Sequence, residues 1–407
     1  MKTQDIEKLA ELAIKVGVNM QKGQKVLILC PVEKSETGRI FAKKAYELGA
    51  SLVKIDYADD KLLRINYENA DINELERVMP SFVACKEEYI TENYCYIVID
   101  ADDPDLLNGI DSDKINRVNI ARRTALRKYN DAVMKNAIHW TIVAIPSPAW
   151  AKRVFPNAEN PEEELWEAIK KTIRLDTEDP VLEWRKHIDK LNERAKFLND
   201  KNFEYIRFEN AKGTDLTVGL ADGHKWLAAE EQGLDGIKFI ANLPTEEVFT
   251  APHRLKVNGT LKSALPLAHD GNVIDEFYIT FKDGRAVDYG AEKGYDTLKN
   301  LIESDEGSHY LGEIALIGKN SPISNSGILY YNTLFDENAS CHLAIGKAYP
   351  TNLVDGDKMS EEELLNHGAN DSLVHCDFMI GTKDLKVTGI DKNGNETQIF
   401  ADGDWII

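Results

Sequence analysis

Apolar residues at Ile6, Leu9, Leu12, Ala13 and Val16 recur at helical spacing and predict an amphipathic helix over 3–16. Gly23 then precedes a short apolar run, Val26 to Leu29, which reads as a buried strand. Ser35 is placed to cap a helix carrying Ile40, Phe41, Ala45 and Leu48, with Gly49 at its end. A second strand follows over 52–57. Strand, helix, strand in this order makes a βαβ unit and predicts a parallel sheet. Asp71 with Glu74 resembles a capping pair for a further helix that stops near Pro80. Runs at 94–100 (YCYIVID) and 140–145 (WTIVAI) add two more buried strands, with a helical, mixed-charge segment between them at 111–138. Asp100, Asp102 and Asp103 before Pro104 read as turn formers and caps. PSPAW, ending at Trp150, reads as a proline-punctuated loop. Pro161 opens one helix, and Asp179-Pro180 opens another that carries Val181, Trp184, Ile188, Leu191, Ala195 and Leu198.

Beyond the polar NDKN at 199–202 the period shortens. Short strands over 203–208, 215–220 and 225–229 are separated by glycine-containing turns, and Asp283-Gly284 and Asn393-Gly394 mark hairpins. The pattern predicts two domains: an N-terminal α/β domain with a parallel sheet over 1–200, and a C-terminal, strand-rich α+β domain over 201–407 that carries the catalytic site.

The composition narrows the function. The chain has 407 residues and a net charge of −20. That charge disfavours nucleic acid and anionic membrane as partners, because both attract basic patches. No run reaches the ~18 to 20 apolar residues of a membrane span. The five cysteines are few, odd in number and mostly set in apolar runs, which reads as a reducing, cytosolic compartment. The loop after the first strand, CPVEKSETG, has neither GxGxxG nor GxxxxGK[ST], so it lacks the glycines that let a backbone approach a pyrophosphate.

The residues able to do chemistry gather in the second half. LFDENASCHLAIGKAY at 334–349 holds Glu337, His342 and Tyr349, and DSLVHCDFMIG at 371–381 holds His375 and Asp377. The apolar neighbours of His375-Cys376-Asp377 predict a strand, on which His375 and Asp377 share one face and Cys376 takes the other. A lone HxD pair is common in strands that bind nothing, so convergence with other groups is what matters. Glu246 and Glu247 follow Pro244, and Glu313 enters an apolar run at LGE. Several carboxylates with two histidines suit a binuclear Zn, Mn or Co hydrolase, in which two metals ~3.5 to 4 Å apart share a bridging carboxylate and a water.

NLPTEEVFTAP, the LGE segment, LFDENASCHLAIGKAY, the HxD arm and WTIVAIPSPAWAKRVFP in the first half resemble the aminopeptidase T family, which includes aminopeptidases S and PepS. HExxH is absent, which separates the chain from zincins. The resemblance implies a metal-dependent exopeptidase that takes N-terminal residues from peptides with a free N-terminus, built as a two-domain homodimer. It implies two divalent ions, Zn, Co or Mn, held by Glu247, Glu313, Glu337, His342, His375 and Asp377. Of the adjacent Glu246 and Glu247, Glu247 has the spacing to Glu313 that fits the resembled pattern, and Glu246 stays as the alternative. The expected catalytic groups are Glu313 as bridging ligand, Glu313 or Glu246 as proton shuttle, and Tyr349 as hydrogen-bond donor to the oxyanion. A rival within the same superfamily is a non-haem iron dioxygenase using His342, His375 and Asp377. A rival of another class is a ligand-binding or scaffolding protein in which the acid–histidine cluster is coincidence.

Overall fold

The computed structural model describes residues 1–269 and 272–407. The chain forms two compact units. One comprises Met1–Ile110, Arg117–Asp189 and Ala229–Thr245; the other comprises Asp111–Asn116, Lys190–Ala228 and Glu246–Ile407.

The first unit is the α/β half that the apolar periods predict. Its parallel sheet has five strands in the order Leu52–Ala58, Lys25–Pro31, Tyr94–Asp100, Trp140–Ala144, Asn242–Leu243. Val26, Leu27, Ile28, Ile97 and Val143 are buried in it, as near-continuous apolar strands require when both faces of a sheet are covered. The helix Thr3–Leu12 buries Ile6, Leu9, Ala10 and Leu12.

Three local expectations are corrected. Ser35 is the first residue of the helix Ser35–Glu47, not its cap, because a tight turn at Val32–Lys34 already feeds the helix and Lys34 takes the capping position. Asp71 caps only the short helix Ile72–Leu75, accepting the Asn73 N–H at 2.9 Å; Pro80 does not end a helix but begins one, Pro80–Thr91. PSPAW is likewise a helix start: Ser147 Oγ accepts the Trp150 N–H at 3.2 Å, and Pro148 opens Pro148–Val154. In both proline cases the ring sits in the first turn, where its missing N–H costs nothing. Asp100 and Asp103 do act as turn formers, accepting the N–H groups of Asp102 and Asp105 at 3.0 and 2.9 Å. Asp179 Oδ1 accepts the Leu182 N–H at 3.0 Å at the start of the helix Pro180–Lys201.

The second unit is built on strands. Its larger sheet runs in the order Leu267–His269, Asn272–Lys282, Pro252–Lys262, Asp215–Leu220, Tyr205–Glu209, Lys386–Ile390, Glu396–Ala401, Asp404–Trp405, with Arg285–Lys293 paired to Asn272–Lys282. Both hairpin signals hold: Asp283 and Gly284 take positive φ of 49° and 85° between paired strands, and Gly394 takes 80° between Lys386–Ile390 and Glu396–Ala401. Residues 225–229 are not a strand; only Leu227 makes a bridge there, to Phe249. A smaller antiparallel sheet of four strands, in the order Val248–Thr250, Leu311–Leu316, His342–Gly346, His375–Met379, carries most of the candidate chemistry. Among the described residues no helix is long and apolar enough to cross a membrane.

Candidate metal centre

The small sheet brings four distant segments to one face through its register. Glu313 pairs with Ala344, and Ala344 with Asp377 on its other side. Directly opposed residues of an antiparallel pair point to the same face, so the two carboxylates flank a methyl group. One step of two along each strand places His342 and His375 on that face as well, with His375 opposite Gly346. Ala344 and Gly346 leave the space that the longer side chains fill. Gly346 is also required by its backbone: φ is +104°, and a Cβ there would meet the Val374 carbonyl oxygen at 2.1 Å. Leu343, Ile345, Cys376 and Phe378 turn to the opposite face, where Phe378 packs edge-on against Phe277 with ring centres 5.6 Å apart.

The groups converge closely. His342 Nε2 lies 3.4 Å from Glu313 Oε1, 3.5 Å from Glu247 Oε2 and 3.8 Å from Asp377 Oδ1. His375 Nε2 lies 3.4 Å from Asp377 Oδ1 and 3.7 Å from Glu313 Oε2. Glu313 therefore offers one oxygen to each imidazole. Two sets of ligand atoms result, Glu247–Glu313–His342 and Glu313–His375–Asp377, each with its atoms within 4.8 Å of one another. Glu337 sits in the tight turn Glu337–Ala339 just before the strand His342–Gly346, and its buried carboxyl feels the charges of Asp377, Glu247 and Glu313.

Both imidazoles are oriented by the backbone. His342 Nδ1–H donates to the Glu337 carbonyl at 2.8 Å, and His375 Nδ1–H donates to the Lys347 carbonyl at 2.7 Å. A carbonyl oxygen only accepts, so Nδ1 carries hydrogen in both rings and Nε2 is the nitrogen that meets the carboxylates. Burial pulls both imidazoles toward neutrality, but the surrounding carboxylates outweigh it and push each up to about 10. Burial, with Asp377 and Glu247 adding to it, drives Glu337 well above the usual carboxylate range. Burial also opposes the charge on Asp377, but His375 and His342 hold it below its ordinary value. Among the described residues the buried Asp377 Oδ1 has no well-aligned hydrogen-bond donor, although His375 Nε2 faces it at 3.4 Å.

This donor set fits divalent cations. Four carboxylates, Glu247, Glu313, Glu337 and Asp377, surround two imidazoles whose free nitrogens point inward. Hard oxygen donors with oriented imidazoles are ligands for divalent ions such as Zn, Mn or Co.

Tyr349, Glu246 and several further histidines each have a defined place. Tyr349 borders the cluster: its ring packs edge-on against His375 at 5.1 Å and against Phe249 at 6.0 Å. Glu246 is buried, and its charge, with that of Asp404, acts on the half-buried Arg194. His253 lies in the strand Pro252–Lys262, where its Nδ1 accepts the Leu255 N–H at 3.2 Å. His269 ends the strand Leu267–His269 and contacts Cys376 Sγ at 3.4 Å; Asp270 lies outside the described residues. His139 meets Asp235 at 3.0 Å, and His187 meets the Thr245 carbonyl at 2.8 Å. Sequence reasoning missed the carbonyls of Glu337 and Lys347, which no side-chain pattern marks, and the wholly buried Asn338, which stood unremarked inside the ENASCH segment.

The comparisons with known proteins bear on this centre. The model of the thermophilic metalloprotease (M29) family matches residues 2–405. The chain belongs to that family. It is 44% identical over 403 residues to aminopeptidase 2 of Geobacillus stearothermophilus, covering 98% of this chain and 97% of the relative. It is 40% identical to aminopeptidase T of Thermus aquaticus, covering 100% and 99%. The solved structure of AmpT from Thermus thermophilus superposes with a TM-score of 0.91 at 37% identity, covering 99% of each chain. The family and the fold that the sequence resemblance implied are thus both met. A 2,5-dihydroxypyridine dioxygenase from Pseudomonas putida superposes with a TM-score of 0.50 at 13% identity, a likeness of fold alone.

Proposed function

We propose that this member of the metalloprotease family is an aminopeptidase that removes N-terminal residues from peptides with a free N-terminus, using two divalent ions, Zn, Co or Mn. The catalytic domain in this reading is 201–407. The observation that carries the two-ion reading is Glu313, whose two carboxylate oxygens each face a different imidazole. Glu247 and His342 complete one side, and Asp377 and His375 the other. Glu337 adds a further carboxylate.

Divalent ions in such a centre supply an acidified water and polarise the scissile carbonyl. The chain's own residues do the rest. The Glu337 and Lys347 carbonyls hold each imidazole with Nε2 inward. Glu313 moves the proton: a carboxylate between both halves of the centre takes it from the attacking water and passes it to the leaving amine. Glu246 is the weaker choice for that task because its charge is engaged by Arg194. Tyr349, packed on His375, donates a hydrogen bond to the oxyanion that forms as the carbonyl is attacked. The free α-amine of a peptide end would meet a carboxylate of the centre, which would give the selectivity of an exopeptidase. The five free cysteines support a reducing, cytosolic setting. A homodimer, tested by light scattering of the eluting protein, belongs to the same reading.

The test is hydrolysis of a panel of aminoacyl-p-nitroanilides and short peptides after chelation and separate reloading with Zn, Co, Mn or Fe(II). Release of free N-terminal amino acids only with Zn, Co or Mn is the expected result. No release with any of them sinks the proposal, and oxygen uptake with Fe(II) and a hydroxypyridine would move the chain to dioxygenase chemistry.

A further inference from the structure

One buried side chain ties together two segments that carry candidate ligands. Asn338 is wholly buried in the turn Glu337–Ala339. Its Oδ1 accepts the Glu246 backbone N–H at 2.7 Å. Its Nδ2 donates to the Leu334 carbonyl at 3.1 Å and to Glu337 Oε1 at 3.4 Å. The partners fix the amide's orientation: an N–H only donates, and a carbonyl or carboxylate accepts, so the reversed amide would break all of these contacts. Its own carbonyl accepts from Ser321 Oγ at 3.2 Å, which braces the turn.

The consequence is positional. Glu246 immediately precedes Glu247, and Glu247 leads into the strand Val248–Thr250, so the Asn338–Glu246 bond sets where Glu247 enters the small sheet. The second arm of the same amide points the Glu337 carboxylate, while the Glu337 carbonyl holds His342. An amide accepts from a backbone N–H through its oxygen while its nitrogen donates to a carboxylate and a carbonyl. Aspartate matches it in shape but only accepts when ionised, and it adds a charge beside Glu337.

We propose that Asn338 is a positioning residue of the metal centre, which locks Glu337 and the Glu246–Glu247 segment in the geometry that binds the ions. The inference rests on the two-metal aminopeptidase reading. Groups that orient the ligands of a metal, without touching it, typically govern affinity or activity by about 10- to 100-fold.

The test compares the full-length wild type with Asn338→Asp and Asn338→Ala. Each is stripped with chelator and reloaded with Co(II). Affinity is read by competition with a chromogenic chelator, and geometry by the visible Co(II) spectrum. Steady-state kinetics and the melting temperature of the metal-free protein complete the set. Wild type that takes up no Co(II) defeats the metal reading itself, before any variant is considered. If wild type binds, Asn338→Asp is expected to melt cooperatively, because it keeps the acceptor for Glu246 N–H. It is also expected to lose about 10- to 100-fold in Co(II) affinity, to alter the spectrum and to lower kcat with KM little changed. Asn338→Ala, which adds no charge, carries the same comparison if the aspartate variant does not fold. Wild-type affinity, spectrum and kcat in either folded variant overturns the proposal. Loss of the metal-free fold in both makes Asn338 a structural residue and overturns it equally.

Discussion

Glu313 is the residue on which the centre turns, since it belongs to both ligand sets and turns one oxygen toward each imidazole. Replacing it with glutamine keeps the shape and removes the charge and the basic oxygen. Glu313→Gln is therefore expected to lose about 10² to 10⁴-fold in kcat, with an unchanged circular dichroism spectrum; near-normal turnover would remove Glu313 from the mechanism. The imidazoles give a second prediction. In the metal-free protein His342 and His375 titrate near 10, above the ordinary 6.5 that applies in the unfolded chain. The stability they contribute is fully present below pH 6.5 and is lost as pH rises toward 10. Metal must displace those protons, so apparent affinity is expected to rise with pH over that window, with protons released on binding. Titration calorimetry in buffers of different ionisation enthalpy reads the release directly; affinity independent of pH would contradict it. At this scale the sequence supplied residue types and spacing, so His375 and Asp377 were legible as a shared face. The choice of Glu247 over the adjacent Glu246 rested on its spacing to Glu313, because neighbouring residues of one type carry the same local pattern.

Among elements, those with strong periodic or turn signals were legible, as were the helices opened by Pro161 and Pro180, whereas those begun by Pro80 and Pro148 were not. Asp283-Gly284 marked its hairpin because positive φ at both positions selects such residues. Pro80 and Pro148 were taken as punctuation, although each begins a helix. The strand His342–Gly346 shows what pattern alone hides. HLAIG reads as a generic buried strand, yet its small residues Ala344 and Gly346 are what let Glu313, Asp377 and His375 meet. Gly346→Val is expected to cost between about 1 and 3 kcal/mol in chemical denaturation and to impair metal uptake, since the added Cβ has no room against Val374. Wild-type stability there would show that the strand can shift freely. Alternation also predicts that Cys376→Ala, on the far face, keeps hydrolytic activity and costs only about 1 kcal/mol. Loss of catalysis in that variant, with the fold intact, would instead implicate the thiol.

For the whole molecule, the α/β and strand-rich halves were readable from the change of period near residue 200. The return of 229–245 to the first unit was not, because the strand it contributes, Asn242–Leu243, is only two residues long and too short to leave a periodic trace. Metal that binds the folded chain and not the unfolded one must stabilise it, so chelation is expected to lower the melting temperature and reloading to restore it. The most direct test of the central claim is to titrate the metal-free protein with Co(II) or Zn(II), following bound metal per chain and release of N-terminal residues together. Two ions held by Glu247, Glu313, Glu337, His342, His375 and Asp377 predict that activity becomes complete only as the second equivalent per chain binds. Full activity at one equivalent, or hydrolysis with none bound, would contradict the account.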